Sequence, residues 1–233
     1  MNTQKKIKLL IIQFQNSLLL CDVSAFRGAI ISKVPADLTL FHNHIGDNLR
    51  YRYPLIQYKR IHGKAAIICV GEGTETIGSF FSQADFKLKI GKREEDFVVE
   101  SIRANQWLLQ PWDTEFQYTL RKWLPLNSAN YEKYMSLDSV VEKYAMLEKI
   151  LIGNVLSFAK GIGVHFEQQV VCKIIAIEEP RPLLYKGVKM MAFDLDFKTN
   201  VSLPDYIGLG KGVSLGFGMV VRKYDKKNEN NNE

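Results

Sequence analysis

Two histidines separated by one residue are the side chains in this sequence best suited to acid–base chemistry. His42 and His44 lie in a polar, turn-prone segment between two apolar runs. Histidine titrates near neutral pH, so one imidazole can accept a proton while the other donates one, without a metal ion. Such a pair also occurs on surface loops that have no function. It can instead supply two metal ligands, but Asp47 and residues from elsewhere in the fold would then have to complete the site.

Two further residues near this pair, Tyr51 and Lys33, are suited to act on a phosphate group. A phenol or an ammonium group can orient a phosphate or stabilise the charge that develops on it, and preorganised help of this kind contributes a few kcal/mol. Lys59, in the next predicted strand, competes with Lys33 for this role. These residues and the two histidines make up the candidate reaction centre.

A glycine-rich stretch near the C-terminus is the second candidate site. Residues 208–218 contain five glycines among eleven positions, as two Gly-apolar-Gly triplets separated by five residues. Glycine permits positive φ and leaves backbone N–H groups uncovered, so such a loop can curl around a phosphate, and Lys211 adds a positive charge. A strand follows the loop, and Lys211 precedes neither Ser nor Thr, which excludes the dinucleotide and Walker loops. A hairpin that only turns the chain is the structural alternative.

The composition is that of an ordinary globular protein. The chain has 233 residues, of which 46% are hydrophobic and 11% aromatic. Its apolar runs are too short to span a membrane and its polar start is not a signal peptide, so we expect a cytoplasmic protein without membrane contact. Three scattered cysteines, Cys21, Cys69 and Cys172, indicate neither disulfides nor a zinc site. A net charge of +6 suits a polyanionic partner but is weak support by itself.

The order of predicted elements is the same in both halves of the chain. The first half predicts strand, helix, strand, strand, helix and strands at 6–14, 22–34, 51–61, 64–70, 74–84, 86–90 and 97–102. After a linker near 106–114, the second half predicts a strand at 115–123, one long helix at 136–160, strands at 170–177 and 189–197, a vestigial helix at 204–207 and a last strand at 215–222. The predicted buried side of the long helix is Leu137, Val140, Val141, Tyr144, Leu147, Leu151, Val155 and Phe158.

The spacing of the glycine triplets resembles the C-terminal glycine loop of the RAMP superfamily, the RNA-binding proteins of CRISPR systems. The resemblance implies an α+β fold of two tandem ferredoxin-like modules (β-α-β-β-α-β each), with the loop held against an RNA backbone. We accordingly expect an N-terminal module at 1–106, which carries the candidate catalytic residues, and a C-terminal module at 107–223. The Lys-, Asn- and Glu-rich tail at 224–233 is predicted to be disordered.

A longer resemblance connects the N-terminal half with the CRISPR repeat-processing endoribonucleases of that superfamily, in the branch with paired histidines. It covers residues 42–44, 51–59 and 65–73. It implies metal-independent cleavage of precursor CRISPR RNA within each repeat, without a cofactor, to give 2′,3′-cyclic phosphate and 5′-hydroxyl ends. His42 and His44 are then the candidate general acid and base, in an order that stays open, while Tyr51 orients the reacting groups and Lys33 is a weaker helper.

RNA binding is expected from the glycine loop and from basic residues around it. The predicted RNA-binding residues are Gly208, Gly210, Lys211, Gly212, Gly216, Gly218, Arg27, Arg222 and Lys223. The expected partner is CRISPR repeat RNA, with other CRISPR effector subunits and a second copy of the chain as further candidates. A non-catalytic RAMP subunit that binds RNA without cutting it is the alternative function. A metal-dependent nuclease and a ferredoxin-like protein without RNA affinity are two others.

Overall fold

Two antiparallel sheets organise the protein in the computed structural model, which describes residues 6–34, 44–45, 48–49, 53–83 and 86–224. In the first half the elements are β1 (Lys6–Ser17), α1 (Val23–Ser32), β2 (His44–Ile45), β3 (Asn48–Leu49), β4 (Ile56–Ile61), β5 (Lys64–Val70), α2 (Gly73–Gln83), β6 (Lys87–Ile90), β7 (Arg93–Asp96) and β8 (Val99–Leu108). The first sheet has the strand order β4-β5-β1-β8. This order and the positions of α1 and α2 are those of a ferredoxin-like module, as predicted.

Strands β4 and β5 of the first sheet are buried on both faces, and this explains the near-continuous apolar sequence of β5. Ile56 and Tyr58 of β4 face a core formed with α1, where Phe26 and Ile30 are also buried. The opposite face contributes Ile61 to a second core, which it shares with the second module. Because successive side chains of a strand point to opposite faces, β4 presents Gln57 and Lys59 to the second module.

The second sheet repeats the strand order of the first, β10-β12-β9-β13. Its elements are β9 (Pro111–Trp123), α3 (Ser128–Met135), α4 (Val140–Gly161), β10 (Cys172–Ile177), β11 (Arg181–Tyr185), β12 (Val188–Val201) and β13 (Met219–Lys223). The strand β11 pairs with the first part of β12 as a hairpin. The glycine loop, residues 208–218, occupies the position in the chain where a ferredoxin-like module has its second helix. It contains one 3-10 turn, Val213–Leu215.

The predicted long helix at 136–160 corresponds to α4, which begins four residues later at Val140, whereas the shorter helix α3 before it was not predicted. The side chain of Asn127 caps α3 by accepting a hydrogen bond from the Asn130 N–H at 2.8 Å. Val140 and Val141, predicted to be buried, are 66% and 77% exposed. The helical spacing of apolar residues extends into the first turn of α4, but only its later turns reach the core. There Leu147, Leu151, Val155 and Phe158 are buried as predicted.

Other element boundaries also differ from the predictions. Residues 204–207 form a turn rather than a vestigial helix, and β8 and β9 are separated only by residues 109–110 rather than by a linker at 106–114. The last strand begins at Met219, because residues 215–218 belong to the glycine loop. The predicted boundary at 106/107 falls within β8, and the division into domains stays a prediction. Of the tail predicted to be disordered, residues 225–233 lie outside the described residues.

One hydrophobic core joins the two modules. It includes Ile7, Leu9, Ala66 and Ile68 from the first sheet together with residues of β9, α4, β12 and the glycine loop. The other core, which contains Ile56 and Tyr58, lies between the first sheet and the helices of its own module. The first module is therefore packed on the second through side chains of β1, β4 and β5. Within the described ranges, no helix combines the length and apolarity needed to cross a membrane.

Candidate functional site

The candidate reaction centre falls largely outside the part of the chain that the structure describes. His42 and Tyr51 are not among the described residues. His44 begins β2, whose backbone pairs with β3 opposite Leu49. Lys33 is exposed at the C-terminal cap of α1, where its backbone N–H donates to the carbonyl oxygen of Ile30 at 3.0 Å. The assignment of catalytic roles to His42, His44, Tyr51 and Lys33 stays a prediction.

The glycine loop is closed by hydrogen bonds between its own backbone groups and to the end of β9. The N–H of Leu209 donates to the carbonyl oxygen of Gly218 at 2.8 Å. The N–H of Gly218 donates to the carbonyl oxygen of Lys122 at 3.1 Å, and Gly208 forms an isolated bridge with Met219. These contacts give the loop a fixed shape. The N–H groups of Leu209 and Gly218 are used within the protein rather than offered to a ligand.

Close packing explains why two loop positions require glycine. Gly218 has φ +62°, and a Cβ atom there would collide with the carbonyl oxygen of Leu209. Gly210 has φ +84°, and its Cβ would lie 2.8 Å from the Trp123 indole nitrogen. Side chains larger than hydrogen are therefore excluded by backbone conformation and by space together.

The loop presents only part of its length to solvent. Gly208 and Gly218 are buried, whereas Gly210 and Lys211 are exposed, and Gly212 and Gly216 are half-buried. We keep the prediction of RNA contact for the accessible positions 210–212 and 216. Gly208 and Gly218 pack the loop against the rest of the protein, and their burial prevents direct contact with RNA in this conformation.

Three side chains from the first module hold this loop, and we call Tyr53, Gln57 and Lys59 the polar latch. The hydroxyl of Tyr53 donates to the carbonyl oxygen of Gly208 at 2.8 Å, and the N–H of Gly208 donates to Oε1 of Gln57 at 3.0 Å. The Nε2 of Gln57 donates to the Tyr53 hydroxyl at 2.9 Å. The Nζ of Lys59 donates to the carbonyl oxygen of Val213 at 2.9 Å. The latch therefore connects β4, and Tyr53 just before it, to the glycine loop at Gly208 and at Val213.

Burial determines the chemistry of Lys59. Its side chain is completely buried, and desolvation lowers the pKa of its ammonium group from 10.5 to about 7. Burial also raises the pKa of the Tyr53 phenol above its ordinary value, so this hydroxyl stays protonated and can donate. The prediction that Lys59 competes with Lys33 to stabilise a phosphate was wrong, because the Lys59 ammonium faces Val213 under the loop.

The other side of the loop rests on the second module. The indole N–H of Trp123 donates to Oδ1 of Asn154 on α4 at 2.8 Å, directly beneath Gly210. The rings of Tyr185, at the tip of the β11–β12 hairpin, and Phe217 meet edge to face with centroids 5.6 Å apart. The hairpin and the loop therefore form one continuous surface.

Two of the basic residues predicted to bind RNA, Arg222 and Lys223, do not converge with the glycine loop. Arg222 and Lys223 lie at the end of β13 away from Met219. The Arg222 guanidinium lies 4.6 Å from the centroid of Phe116, and the Lys223 ammonium forms an ion pair with Asp196 at 2.7 Å. Both charges thus have partners within the protein. Their RNA contact stays a prediction.

Arg27 lies on α1, in the first module. Its Nε atom is buried and has no hydrogen-bond partner among the residues that the structure describes. The nearby Tyr58 hydroxyl is buried and unpartnered in the same sense. Helix α1 lies against the glycine loop, because a Cβ atom on Gly216 would lie 3.6 Å from a methyl carbon of Val23, one helical turn before Arg27. The RNA contact of Arg27 stays a prediction.

A metal-ligand cluster is not present in the described ranges, where no three His, Cys, Asp or Glu side chains converge as metal ligands do. His42 lies outside those ranges. Metal independence therefore stays a prediction.

The polar latch was missed by the reasoning from sequence. A usable signal was present, because Gln57 and Lys59 alternate with Ile56 and Tyr58 in a strand whose partner β5 is apolar from Ala65 to Val70. Two polar residues on one face of a buried strand indicate a polar partner on that face. The identity of the partner, a loop about 150 positions away in sequence, could not be obtained from this pattern.

The family of the chain follows from comparison with known proteins. A sequence model of the Cas6b N-terminal domain matches residues 5–107, and one of the Cas6b C-terminal domain matches residues 110–223. The chain belongs to the Cas6b family. A crystal structure of Cas6b is similar with a TM-score of 0.87 and 30% identity, covering 94% of this chain and 100% of that chain. The predicted RAMP resemblance is thereby confirmed.

Two further relatives extend the comparison. The crystal structure of a CRISPR RNA processing endoribonuclease Cas6b has a TM-score of 0.74 and 26% identity, with 94% of this chain and 100% of that chain covered. An uncharacterized protein of Methanocaldococcus jannaschii is 39% identical over 100 residues, which are 43% of this chain and 67% of that protein. The architecture of two tandem ferredoxin-like modules is thus shared with solved Cas6b structures over nearly the whole chain.

Proposed function

We propose that this Cas6b chain is an endoribonuclease that cleaves precursor CRISPR RNA within its repeats, without a metal ion. The observation that supports this proposal is the match to Cas6b across both modules, including a Cas6b solved as a CRISPR RNA processing endoribonuclease. The histidine pair and the exposed Gly210 and Lys211 supply the two functions that such an enzyme needs. These are proton transfer in one module and a surface for the RNA backbone in the other.

The proposed reaction uses the nucleophile that RNA itself carries. One imidazole of the pair His42 and His44 removes the proton of a 2′-hydroxyl, whose oxygen then forms a bond to the adjacent phosphorus. The bond from phosphorus to the 5′-oxygen breaks, and the other imidazole donates a proton to that oxygen. Tyr51 orients the phosphate and Lys33 offsets its developing charge. The products are a 2′,3′-cyclic phosphate and a 5′-hydroxyl.

A cleavage assay in EDTA tests the proposal. Labelled repeat RNA from the source genome's CRISPR array is incubated with the protein, beside the same RNA carrying a 2′-deoxy sugar at the mapped cut site. We expect a single cut in EDTA that the deoxy substitution abolishes. His42→Ala and His44→Ala are compared with His165→Ala, an exposed histidine of the second module. At least one of the first two variants should lose activity, and His165→Ala should keep it.

The other outcomes of this assay identify the competing functions. Loss of cleavage in EDTA that is restored by a divalent ion would indicate a metal-dependent nuclease. Tight RNA binding without cleavage would indicate a non-catalytic RAMP subunit. A second copy of the chain and other CRISPR effector subunits are further proposed partners, and light scattering with and without repeat RNA tests the first of them.

A further inference from the structure

The geometry points to the polar latch, Tyr53, Gln57 and Lys59, as a set of positioning residues for RNA cleavage. The latch fixes the glycine loop of the second module against the first module, so that RNA held at the loop meets the candidate catalytic segment in one register. None of the three residues touches RNA in this scheme. The inference rests on the proposed function.

Strand β4 carries buried polar groups at Gln57 and Lys59, where apolar side chains would be easier to accommodate. Gln57 and Lys59 are both completely buried, on the sheet face that packs against the second module. Burying an amide or an amine is unfavourable unless it is hydrogen-bonded. Both side chains use their polar atoms on backbone groups of the loop, Gly208 for Gln57 and Val213 for Lys59. The polar atoms are thus matched to one specific position of the loop.

The hydrogen bonds among Gly208, Tyr53 and Gln57 form a closed ring. Its carbonyl oxygen accepts from Tyr53, its N–H donates to Gln57, and Gln57 in turn donates to Tyr53. The other amide hydrogen of Gln57 is used by the carbonyl oxygen of Pro54 at 3.1 Å. Both backbone polar groups of Gly208 are therefore held by the first module. This defines the position and the orientation of the loop's first residue.

The loop can occupy its position only because residue 208 has no side chain. A Cβ atom on Gly208 would lie 3.0 Å from Nζ of Lys59 and 2.7 Å from a methyl carbon of Val213. The Tyr53 ring also packs against Phe158 of α4, with centroids 4.9 Å apart. Tyr53 is thus inserted between the loop and the helix of the second module. A shift of the loop would break the ring of hydrogen bonds rather than stretch it.

The residues that the latch joins are close in sequence to both candidate sites. Tyr53 follows Tyr51 by two residues, and the exposed Gly210 follows Gly208 by two residues. The latch therefore joins the candidate catalytic segment to the candidate RNA-binding positions through short covalent connections on both sides. Reaction rates depend steeply on such alignment, because a misplacement of about 1 Å can reduce the rate about a hundredfold.

Tyr53→Phe and Lys59→Met test the inference, with Tyr118→Phe as a matched control. The Tyr118 hydroxyl also makes two hydrogen bonds to backbone, donating to the carbonyl oxygen of Leu203 at 3.2 Å and accepting from its N–H at 2.8 Å. Both contacts lie within the second module. The control therefore removes a buried hydroxyl with two partners but leaves the connection between the modules intact. All proteins are assayed at a temperature where circular dichroism shows them folded.

The readout is the single-turnover cleavage rate at saturating protein, measured beside the dissociation constant for repeat RNA. For Tyr53→Phe and Lys59→Met we expect the rate to fall at least about tenfold while the dissociation constant changes less than about threefold, since affinity comes from many phosphate contacts and rate from alignment. Tyr118→Phe should cleave at the wild-type rate. Hydrogen exchange, recorded without RNA, should be faster at the amides of Leu209 and Gly218 in both latch variants and unchanged in Tyr118→Phe.

The possible outcomes separate this inference from the proposed function. Wild-type protein that binds repeat RNA and leaves it uncut would refute the proposed function, and the positioning role would then fall with it. If wild-type protein cuts, latch variants that cut equally fast, or a Tyr118→Phe variant that is equally slow, would overturn the inference alone. Unchanged exchange at Leu209 and Gly218 in the latch variants would overturn it by a measurement independent of RNA.

Discussion

The ammonium group of Lys59 lies 2.9 Å from the carbonyl oxygen of Val213, and no part of the Lys59 side chain is exposed to solvent. These residues are 154 positions apart, on a strand of the first module and in the glycine loop of the second. The loop that resembles an RNA-binding signature is therefore also an element that joins the modules.

The stability of the protein should depend on pH through Lys59. Its pKa is lowered to about 7 in the folded protein from 10.5, so between these values the unfolded chain binds a proton that the folded chain does not. The free energy of unfolding should therefore rise with pH in this window, by at most about 1.4 kcal/mol per pH unit. The destabilisation caused by burying the Lys59 amine should be fully present below a pH of about 7 and absent above the unfolded pKa. Urea unfolding of wild type and Lys59→Met from pH 6 to 10 measures this.

In Lys59→Met this contribution to the slope should disappear. Lys8→Met, which removes an exposed lysine of β1, is the control and should follow the wild-type profile. Parallel profiles for wild type and Lys59→Met would show that the ammonium group is not desolvated as the structure indicates.

Glycine-to-alanine substitutions should have opposite effects at Gly218 and Gly153. At Gly218 the positive φ and the collision with Leu209 should lower the free energy of unfolding by about 3 kcal/mol or more. Gly153 lies within α4, where an added Cβ would meet no atom within 4 Å, so alanine should raise stability by about 0.5 to 1 kcal/mol. Thermal and urea unfolding measure both, and a Gly218→Ala variant as stable as wild type would contradict the packed geometry of the loop.

Lys211→Ala should weaken RNA binding in a salt-dependent way. Lys211 is exposed beside Gly210, and each phosphate contact that is lost should reduce the slope of log affinity against log salt by about 0.7 to 1. Fluorescence anisotropy with repeat RNA at several salt concentrations measures the slope. Lys92→Ala, in the exposed turn between β6 and β7, is the matched loss of charge and should leave the slope unchanged. Equal slopes for all three proteins would remove Lys211 from the RNA-binding surface.

Removal of the Tyr58 hydroxyl should leave stability unchanged or increase it. Among the described residues this buried hydroxyl has no hydrogen-bond partner, so Tyr58→Phe removes a polar atom without orphaning another. Tyr118→Phe, by contrast, removes the hydrogen-bond partner of both the N–H and the carbonyl oxygen of Leu203. It should lower the free energy of unfolding by about 1 to 3 kcal/mol. Urea unfolding of the two variants measures the difference. A loss of stability in Tyr58→Phe as large as in Tyr118→Phe would contradict this assignment.

Local sequence patterns were sufficient for much of the fold. The hairpin of β4 and β5 around His62 and Gly63 was predicted because two apolar runs meet at a Gly-containing turn. The ferredoxin-like order of elements followed from such local patterns together with the RAMP resemblance. The same patterns gave the long helix α4 and missed α3. They also placed Val140 and Val141 on the buried side of α4, although both are exposed, because helical spacing does not indicate which turns reach a core.

The sequence by itself determined that residues 208–218 form a glycine-rich loop before a final strand, and that His42 and His44 are the candidate acid–base pair. Only the tertiary structure decided how the loop is used. It buries Gly208 and Gly218, exposes Gly210, and holds the loop with Tyr53, Gln57 and Lys59. The physical reason is that periodicity and turn propensity act between near neighbours in the chain. A buried amine and a carbonyl group 154 residues apart meet only because strands β1, β4 and β5 of one module pack against the other.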